Sequence, residues 1–219
     1  MIKVLNATEK PITFMGKVAG VCYNSDIENA DKNYKRGLKN IKDNHGRVME
    51  YVDIVIEVDG YSARTVRQIY THVVGTSRLS ASTRYIDYSG DNFTYYTPKS
   101  ILKDKDALHT YDKCMDNILE SYNTLLNMGI DKEDVANILP LGLNQKMVLK
   151  INFRALLHLA EMRLCERAYE EIRDFVKELI DKTSRIDDEW AELMKFMLPK
   201  CKTCTEKENC PRLKNKGDK

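Results

Sequence analysis

The feature that most constrains the fold is a stretch of alternating side chains in the first third of the chain. Residues 48–58 read VMEYVDIVIEV, and Asp53 and Glu57 fall on the face opposite to the apolar side chains. The apolar positions that share one face are Val52, Ile54, Ile56 and Val58. An apolar period of two over this length predicts a β-strand that is buried on one face.

Helical and strand patterns follow one another irregularly along the rest of the chain. Two further short strands are predicted at 2–7 and 146–151. Helices are predicted at 11–23, 30–45, 61–72, 105–128, 132–139, 152–164, 166–180 and 186–198. The stretches at 152–164 and 166–180 form either two helices or one bent helix. Because strands and helices do not alternate strictly, the predicted fold class is α+β, with helices around a small mixed or antiparallel sheet.

Residues 75–100 lack a helical period. They are rich in Gly, Ser, Thr, Asp, Asn and Tyr. We therefore interpret them as a long ordered loop, a kind of segment that often carries function in compact domains.

The charge balance and the apolar content narrow the functional classes. The 219 residues include 35 Lys and Arg against 33 Asp and Glu, and this balance does not support a protein that binds duplex nucleic acid. No apolar run approaches the ~20 residues needed to cross a bilayer. The first ten residues, MIKVLNATEK, lack the apolar core of a secretion signal. We therefore expect a cytoplasmic protein that binds neither membrane nor nucleic acid.

The six cysteines fall into two groups. Cys22, Cys114 and Cys165 each lie in an apolar stretch, where we predict buried small side chains. A predicted main domain at 1–198 is followed by a polar tail at 199–219 that contains the other three, Cys201, Cys204 and Cys210. Without a secretion signal a disulfide framework is not expected. Structural zinc needs four ligands, so the tail is interpreted either as a mobile segment or as a zinc site completed by another subunit, and no metal site is assigned.

Hydroxyl side chains and arginines are concentrated in residues 66–85, VRQIYTHVVGTSRLSASTRY. Ser62 is a suitable N-cap for the helix that ends in Gln68 and His72. The loop that follows presents Ser77, Arg78, Ser80, Ser82, Thr83, Arg84 and Tyr85. Hydroxyl and N–H donors beside a guanidinium suit a phosphate or another oxyanion. The alternative is a plain polar connection between two elements.

A second concentration of polar side chains lies at 152–163, NFRALLHLAEMR. Arg154 and His158 share a face of the predicted helix, with Asn152 just before it and Arg163 on a later turn. Such groups are costly to bury on an apolar helix unless an anionic and aromatic ligand pairs with them. The alternative is an exposed face with salt bridges. The carboxylates available for these bridges are Glu161 and Glu166.

Seven segments occur in an order that resembles one enzyme family. RQIYTH and STRY resemble a helix that leads into an Arg-His-Arg motif and the Ser-x-Arg-Tyr group after it. NFRALLHLAEMR with AYEEI resembles the patterns Asn-x-Arg-x-x-x-His, Leu-Arg and Ala-Gln-x-Glu-Ile. AGVCYNS, HGRVMEYVDIVIEV and GIDKEDVANILP resemble the remaining motifs. The family is that of the flavin-dependent thymidylate synthases, and the resemblance runs from about Ile2 to the region of Leu198.

The chain departs from the family's pattern at several positions. Thr71-His72-Val73 stands in place of Arg-His-Arg, and the spacing from His72 to Ser82 is one residue longer than in the family. Arg78 lies in this lengthened loop and could replace one of the lost charges. The other departures are Asn137 for an arginine, Glu50-Tyr51 for Glu-His, and Ala168-Tyr169 for Ala-Gln.

The resemblance implies an enzyme that methylates dUMP to dTMP on bound FAD. It implies methylenetetrahydrofolate as the carbon donor, NADPH as the reductant, and a homotetramer with FAD at its subunit interfaces. Arg163 is the implied catalytic residue and binds the pyrimidine. The residues implied to bind the nucleotide with it are Gln68 from another subunit, Ser82, Thr83 and Arg84. Those implied to bind FAD are His72, Asn152, Arg154 and His158, with His45 and Arg47 in a loop close to the flavin.

Two other functions stand beside this one. The first is a flavoenzyme that acts on another pyrimidine nucleotide, or that adds a one-carbon group without full reduction. The second is a non-catalytic nucleotide-binding oligomer, which the missing arginines around His72 favour. The retained site residues favour an enzyme. These residues are Ser82, Arg84, Asn152, Arg154, His158 and Arg163.

Overall fold

The protein contains a four-stranded β-sheet, whose strands are separated in the chain by helices. The computed structural model describes residues 1–201, 204–206, 208 and 210. The strands are β1 (Ile2–Ala7), β2 (Asp53–Ser62), β3 (Thr76–Ser80) and β4 (Asn144–Asn152). They are hydrogen-bonded in the order β1-β2-β4-β3 and are antiparallel, which confirms the α+β class and the antiparallel form of the predicted sheet.

Ten α-helices accompany the sheet within the described residues. They are α1 (Pro11–Cys22), α2 (Ala30–Lys42), α3 (Gly46–Met49), α4 (Ala63–Tyr70), α5 (Lys99–Leu102), α6 (Lys105–Asn127), α7 (Lys132–Val135), α8 (Phe153–Arg163), α9 (Glu170–Ser184) and α10 (Asp188–Met194). Short 3-10 turns occupy Gly90–Asn92 and Ala136–Ile138. None of the helices found in the described part of the chain is both long enough and apolar enough to cross a membrane.

The segment between α8 and α9 shows that two helices, and not one bent helix, follow β4. Residues 164–169 are not helical. The Arg173 guanidinium donates to the carbonyl oxygens of Glu166 and Ala168 at 2.6 and 2.7 Å. These bonds satisfy carbonyls that a continuous helix would have paired with backbone N–H groups.

The strand predicted at 48–58 begins later than the sequence indicates. Val48 and Met49 belong to α3 and are buried, so their apolar character reflects packing of a short helix. From Asp53 onward the predicted alternation is confirmed, because the side chains on one face are fully buried and those on the other are half-buried. The buried side chains are Ile54, Ile56 and Val58.

The loop predicted at 75–100 contains the strand β3, which the sequence did not indicate. The N–H of Asn152 donates to the Gly75 carbonyl, and the N–H of Ala81 donates to the Lys146 carbonyl. These bonds mark the two ends of its pairing with β4. The sequence of β3, TSRLS, has a single large apolar residue, Leu79, and that side chain is exposed. A strand with this composition gives no period-two signal of burial.

The chain divides into two compact units. The first comprises Met1, Val58–Thr71 and Leu79–Val148. Its core is an aromatic cluster between α6 and the preceding loop, in which Tyr122 is fully buried and its hydroxyl accepts the N–H of Tyr88 at 3.3 Å. The buried members are Tyr88, Phe93, Met115, Tyr122, Val135 and Leu143. The helix predicted at 105–128 is confirmed as α6, and the apolar stripe of this helix packs into the cluster through Tyr111, Met115, Ile118, Tyr122 and Leu125.

The second unit comprises Ile2–Glu57, His72–Arg78 and the described residues from Leu149 onward. Helices α1 and α2 pack backbone to backbone, since a Cβ on Gly16 would lie 1.7 Å from the Asn33 carbonyl oxygen. Trp190 of α10 is fully buried, and its indole N–H donates to the Thr8 carbonyl at 2.9 Å. This bond joins α10 to the segment after β1, so the N-terminal and C-terminal parts of this unit are held together.

The prediction that three cysteines are buried is wrong. Cys22 and Cys114 are exposed, and Cys165 is half-buried. Cys114 precedes Met115, one of the two buried residues of α6, and therefore lies off the apolar stripe of this helix. All six cysteines are free thiols. Most of the predicted tail at 199–219 lies outside the described residues, and among those described no group of His, Cys, Asp or Glu has a metal-binding arrangement.

Candidate active site

The first turn of α8 is joined to the segment that precedes β3. The side-chain oxygen of Asn152 caps α8 by accepting the N–H of Ala155 at 2.9 Å. Gly75 has a positive φ of 74°, and a Cβ there would lie 2.6 Å from the Asn152 side-chain nitrogen. Because only glycine combines this conformation with this proximity, Gly75 lets the segment approach α8 closely.

The turn that carries His72 is closed by a hydroxyl. Thr76 Oγ1 donates to the His72 carbonyl at 2.6 Å and is also 3.2 Å from the Val73 carbonyl. Together with the bond from Asn152 to Gly75, this fixes the backbone of 72–76 at both ends. The His72 side chain is thereby directed at α8.

The centre of this site is a contact between His72 and two residues of α8. Arg163 Nε donates to His72 Nε2 at 3.0 Å. The rings of His72 and His158 lie edge to face, with centroids 5.8 Å apart. His72, His158 and Arg163 therefore lie together, and they are three of the five site residues that the sequence predicts on or near α8. The sequence had indicated that Arg163 is rotated away from His158, and the His72 ring bridges this separation.

The surroundings of His72 keep its ring neutral. Burial is the main cause, and the nearby charges of Arg163 and His158 act in the same direction, so that the pKa of His72 falls to about 4. Burial also lowers the pKa of Arg163. An arginine does not lose its proton in proteins near neutral pH, so the pair consists of a charged guanidinium and a neutral imidazole.

Arg154 contacts the segment that leads into β2. Its Nη1 is 2.6 Å from a carboxylate oxygen of Glu50. A Cβ on Gly46 would lie 2.8 Å from Arg154 Nε, so the guanidinium stem lies across the backbone at the start of α3. His45 and Arg47 flank this glycine and are exposed. The alternative of an exposed face with salt bridges to Glu161 or Glu166 is met in part, because Glu161 lies 3.8 Å from His158 while Arg154 pairs with Glu50.

His158 lies on the open face of α8. Its side chain is 64% exposed, and Nδ1 is 3.8 Å from Glu161. Arg154, one turn earlier, is 55% exposed. Two N–H-bearing side chains on one accessible helix face, beside a half-buried arginine, suit a ligand that is both anionic and aromatic.

The nucleotide residues predicted from the sequence lie in the first unit. Ser82 begins a turn, because its Oγ accepts the N–H of Arg84 and its carbonyl accepts the N–H groups of Tyr85 and Ile86. Ser82 and Thr83 are half-buried, whereas Arg84 is exposed. The turn therefore presents a guanidinium and two hydroxyl side chains.

Arg84 is held by a carboxylate of α7. Its Nε lies 3.0 Å from Glu133 Oε2, and both side chains are about three-fifths exposed. A second pair joins the same two segments, with Lys132 Nζ 3.3 Å from an Asp87 oxygen. Glu133 could not be predicted as this partner, because 49 residues separate it from Arg84.

Two remaining predicted residues have separate positions. Gln68 lies on α4 and is half-buried. The N-cap of this helix is Ser62, as predicted, and its oxygen accepts the N–H of Thr65 at 3.2 Å. The prediction that Arg78 lies in a loop is wrong, because this residue lies within β3.

The fold and the candidate site define an α+β protein that gathers arginine and imidazole groups on one helix. A family model described as thymidylate synthase complementing protein matches residues 3–187. This match covers most of the chain, and the chain belongs to that family. The resemblance seen in the sequence is therefore confirmed.

Curated relatives carry the name flavin-dependent thymidylate synthase. The Pyrococcus furiosus protein is 30% identical over 156 residues, which are 68% of this chain and 64% of the relative. The Pyrococcus abyssi protein is 30% identical over 177 residues, which are 76% of this chain and 70% of the relative. The chain thus spans just under two thirds of the first relative and slightly more of the second.

Solved structures share the fold at lower sequence identity. ThyX from Helicobacter pylori, complexed with FAD and dUMP, aligns with a TM-score of 0.69 and 17% identity over 90% of this chain and 99% of that chain. The UMP/dUMP methylase PolB from Streptomyces cacaoi, bound with 5-Br dUMP, aligns with a TM-score of 0.73 and 17% identity over 89% and 94%. At this identity the likeness concerns the fold.

Proposed function

We propose that this protein methylates dUMP to dTMP on bound FAD, with methylenetetrahydrofolate as the carbon donor and NADPH as the reductant. The observation that carries the proposal is the contact of Arg163 with the neutral His72, beside the exposed face of α8, in a chain of this family. Relatives named flavin-dependent thymidylate synthase support the reaction, and a fold neighbour complexed with FAD and dUMP supports the two ligands.

The residues on α8 fit an FAD site by their chemistry. Arg154 and His158 are accessible, and both carry N–H groups that can bind a pyrophosphate. The glycine at 46 leaves room for Arg154 to lie along the backbone, where a side chain would collide with it. Asn152 is committed to capping α8, so its share in binding is to fix the start of the helix. His72 brings a ring without a charge.

When bound, the flavin supplies the redox chemistry, and the protein supplies position and charge. Arg163 would bind the pyrimidine, where a fixed guanidinium stabilises negative charge that develops on the ring. Its half-buried location strengthens that interaction, because solvent screens it less than at the surface.

The turn at 82–84 would bind the phosphate of the nucleotide. Arg84 provides a guanidinium fork, and Ser82 and Thr83 provide hydroxyl groups on adjacent positions. Gln68 would reach a nucleotide bound by another subunit. This last role requires an oligomer, and we propose a homotetramer with FAD at its interfaces, formed by a domain at 1–198.

Exposed apolar side chains near the candidate residues support assembly. Val73 and Val74, directly after His72, are 63% and 86% exposed, which is unusual for neighbouring valines. Leu79 and Tyr85 are exposed as well. Light scattering tests this part of the proposal, since a monomer that binds FAD tightly would contradict it.

Absorbance and product analysis test the reaction. A purified protein with a flavin spectrum would exclude the non-catalytic oligomer. Incubation with NADPH, methylenetetrahydrofolate and dUMP should then yield dTMP, identified by chromatography with mass detection. A parallel incubation with UMP separates the alternative substrate, which the likeness to a UMP/dUMP methylase makes the first to try. Bound flavin without dTMP would reject the proposed reaction.

A further inference from the structure

The bond between Arg163 and His72 has a defined direction. Arg163 Nε always carries a proton, so it donates, and His72 Nε2 must accept. A neutral imidazole has one N–H, and the ring proton of His72 therefore lies on Nδ1. The structure thus specifies a single tautomer and a single charge state for this ring.

The ring is constrained from both sides. Its backbone is fixed by the Thr76 hydroxyl and by the approach of Gly75 to Asn152. The ring itself packs edge to face against the ring of His158. The charged or titratable groups from α8 that face it are Arg163 and His158. An acceptor held in this way fixes the plane of the guanidinium that contacts it.

We propose that His72 is a positioning residue, which orients the guanidinium of Arg163 by accepting its Nε–H while remaining neutral. A carboxylate in this position would also accept the bond, but it would add a negative charge beside the guanidinium. A neutral imidazole orients the guanidinium without adding that charge. This inference rests on the proposed function in one respect, namely that the pyrimidine is the ligand of Arg163. The role that it gives to His72 differs from direct binding of FAD.

Nuclear magnetic resonance tests the bond itself. The nitrogen shifts of the four histidines distinguish charged rings from the two neutral tautomers, and His72→Gln identifies the signal of His72. At pH 7 the expected result is a neutral ring with its proton on Nδ1. A charged ring, or a proton on Nε2, would overturn the proposal. This measurement needs neither nucleotide nor turnover.

Three substitutions test the positioning role. Gln places a carbonyl oxygen close to the position of Nε2, Asn places one closer to Nδ1, and Phe keeps a ring without an acceptor. In the FAD-loaded protein, His72→Phe and His72→Asn should weaken dUMP binding by about tenfold, the loss of one well-placed charge-assisted bond, while His72→Gln retains most of it. Thermal melts establish that each variant is folded.

The outcomes separate this proposal from the proposed function. Equal loss of FAD binding in all three variants would show that His72 binds the cofactor directly and would overturn the positioning role. Equal dUMP affinity in His72→Phe and wild type would overturn it as well. If the wild type binds no dUMP, the proposed function fails, and the tautomer and charge of His72 still decide whether it accepts the Arg163 bond.

Discussion

Two arginines are proposed to bind the nucleotide, and they are held in opposite ways. Arg84 lies on an exposed turn, and its partner is the carboxylate of Glu133. Arg163 is half-buried, and its Nε partner is the imidazole of His72, which is neutral. One arginine thus has a charged partner in water, and the other has a neutral partner that is partly shielded from water.

The difference indicates two kinds of binding. An exposed ion pair contributes about 0–1 kcal/mol, so a phosphate can replace Glu133 at small cost. A guanidinium fixed by a neutral acceptor in a shielded position is suited to charge that appears only during the reaction. We expect Arg84 to affect binding, whereas Arg163 should affect binding and, to a larger extent, turnover.

The largest effect is expected from Arg163→Ala. Loss of a charge-assisted interaction in a half-buried site costs on the order of 2–4 kcal/mol, so turnover should fall by roughly 30- to 1000-fold. The flavin should stay bound, because the proposed cofactor contacts lie at Arg154 and His158. Turnover and the flavin absorbance of the same preparation provide the measurement. Near-normal turnover would remove Arg163 from the reaction.

Arg84 should have the next largest effect, and on affinity. Arg84→Lys keeps the charge but loses the planar fork, so dUMP binding should weaken about tenfold, or ~1.4 kcal/mol, and Arg84→Ala should weaken it further. FAD affinity should change little. Calorimetric titration of dUMP into FAD-loaded wild type and both variants measures the effect. Unchanged affinity in Arg84→Ala would mean that the 82–84 turn is not a phosphate site.

Some helices and strands could be predicted from the sequence and others could not, for physical reasons. The helix α6 and the strand from Asp53 could be predicted because one face of each element is buried in a core, which produces a periodic apolar pattern. β3 was missed because it has few apolar side chains to indicate a buried face. α3 was missed because four residues are too short to display a helical period.

The candidate site was predictable as a set of residue types and not as a set of pairs. The sequence placed Arg154 and His158 on one face, since helical spacing is local. The partners actually found are Glu50 for Arg154 and Glu133 for Arg84, and they lie 104 and 49 residues away in the chain. Only tertiary folding brings such residues together, so no local pattern reveals them.

A smaller effect is expected from pH, and it arises at His72. The pKa of His72 falls from an ordinary 6.5 to about 4 in the folded protein. Between these values the unfolded chain binds a proton that the folded chain does not, so the free energy of unfolding decreases as pH falls from 6.5 towards 4. Above pH 6.5 the contribution is fully present.

Urea unfolding of wild type and His72→Gln measures this contribution. The stability difference between the two proteins should vary with pH within that window and stay constant above it. In Arg163→Ala, the pKa of His72 should rise, because one nearby positive charge is removed while burial remains. A parallel pH dependence in wild type and His72→Gln would show that other groups are responsible.

The smallest effect concerns the partner of Arg84. Glu133→Gln keeps the shape of the side chain and removes its charge, so it should change the free energy of unfolding by less than about 1 kcal/mol, as expected for an exposed pair. A bound phosphate would otherwise have to compete with this carboxylate for Arg84. Binding of dUMP should therefore strengthen by about two- to threefold, a change that high salt reduces by screening.

Asp87→Asn is the matched control for Glu133→Gln. It removes a carboxylate from the same pair of segments, but that carboxylate bonds to Lys132 and not to Arg84. If competition for Arg84 is the cause, Asp87→Asn should leave dUMP affinity nearly unchanged, because Arg84 keeps its carboxylate partner. Equal gains in both variants would indicate a general reduction of negative charge. Weaker dUMP binding in Glu133→Gln would reverse the interpretation, since Glu133 would then hold Arg84 in place for the phosphate, as His72 is proposed to hold Arg163.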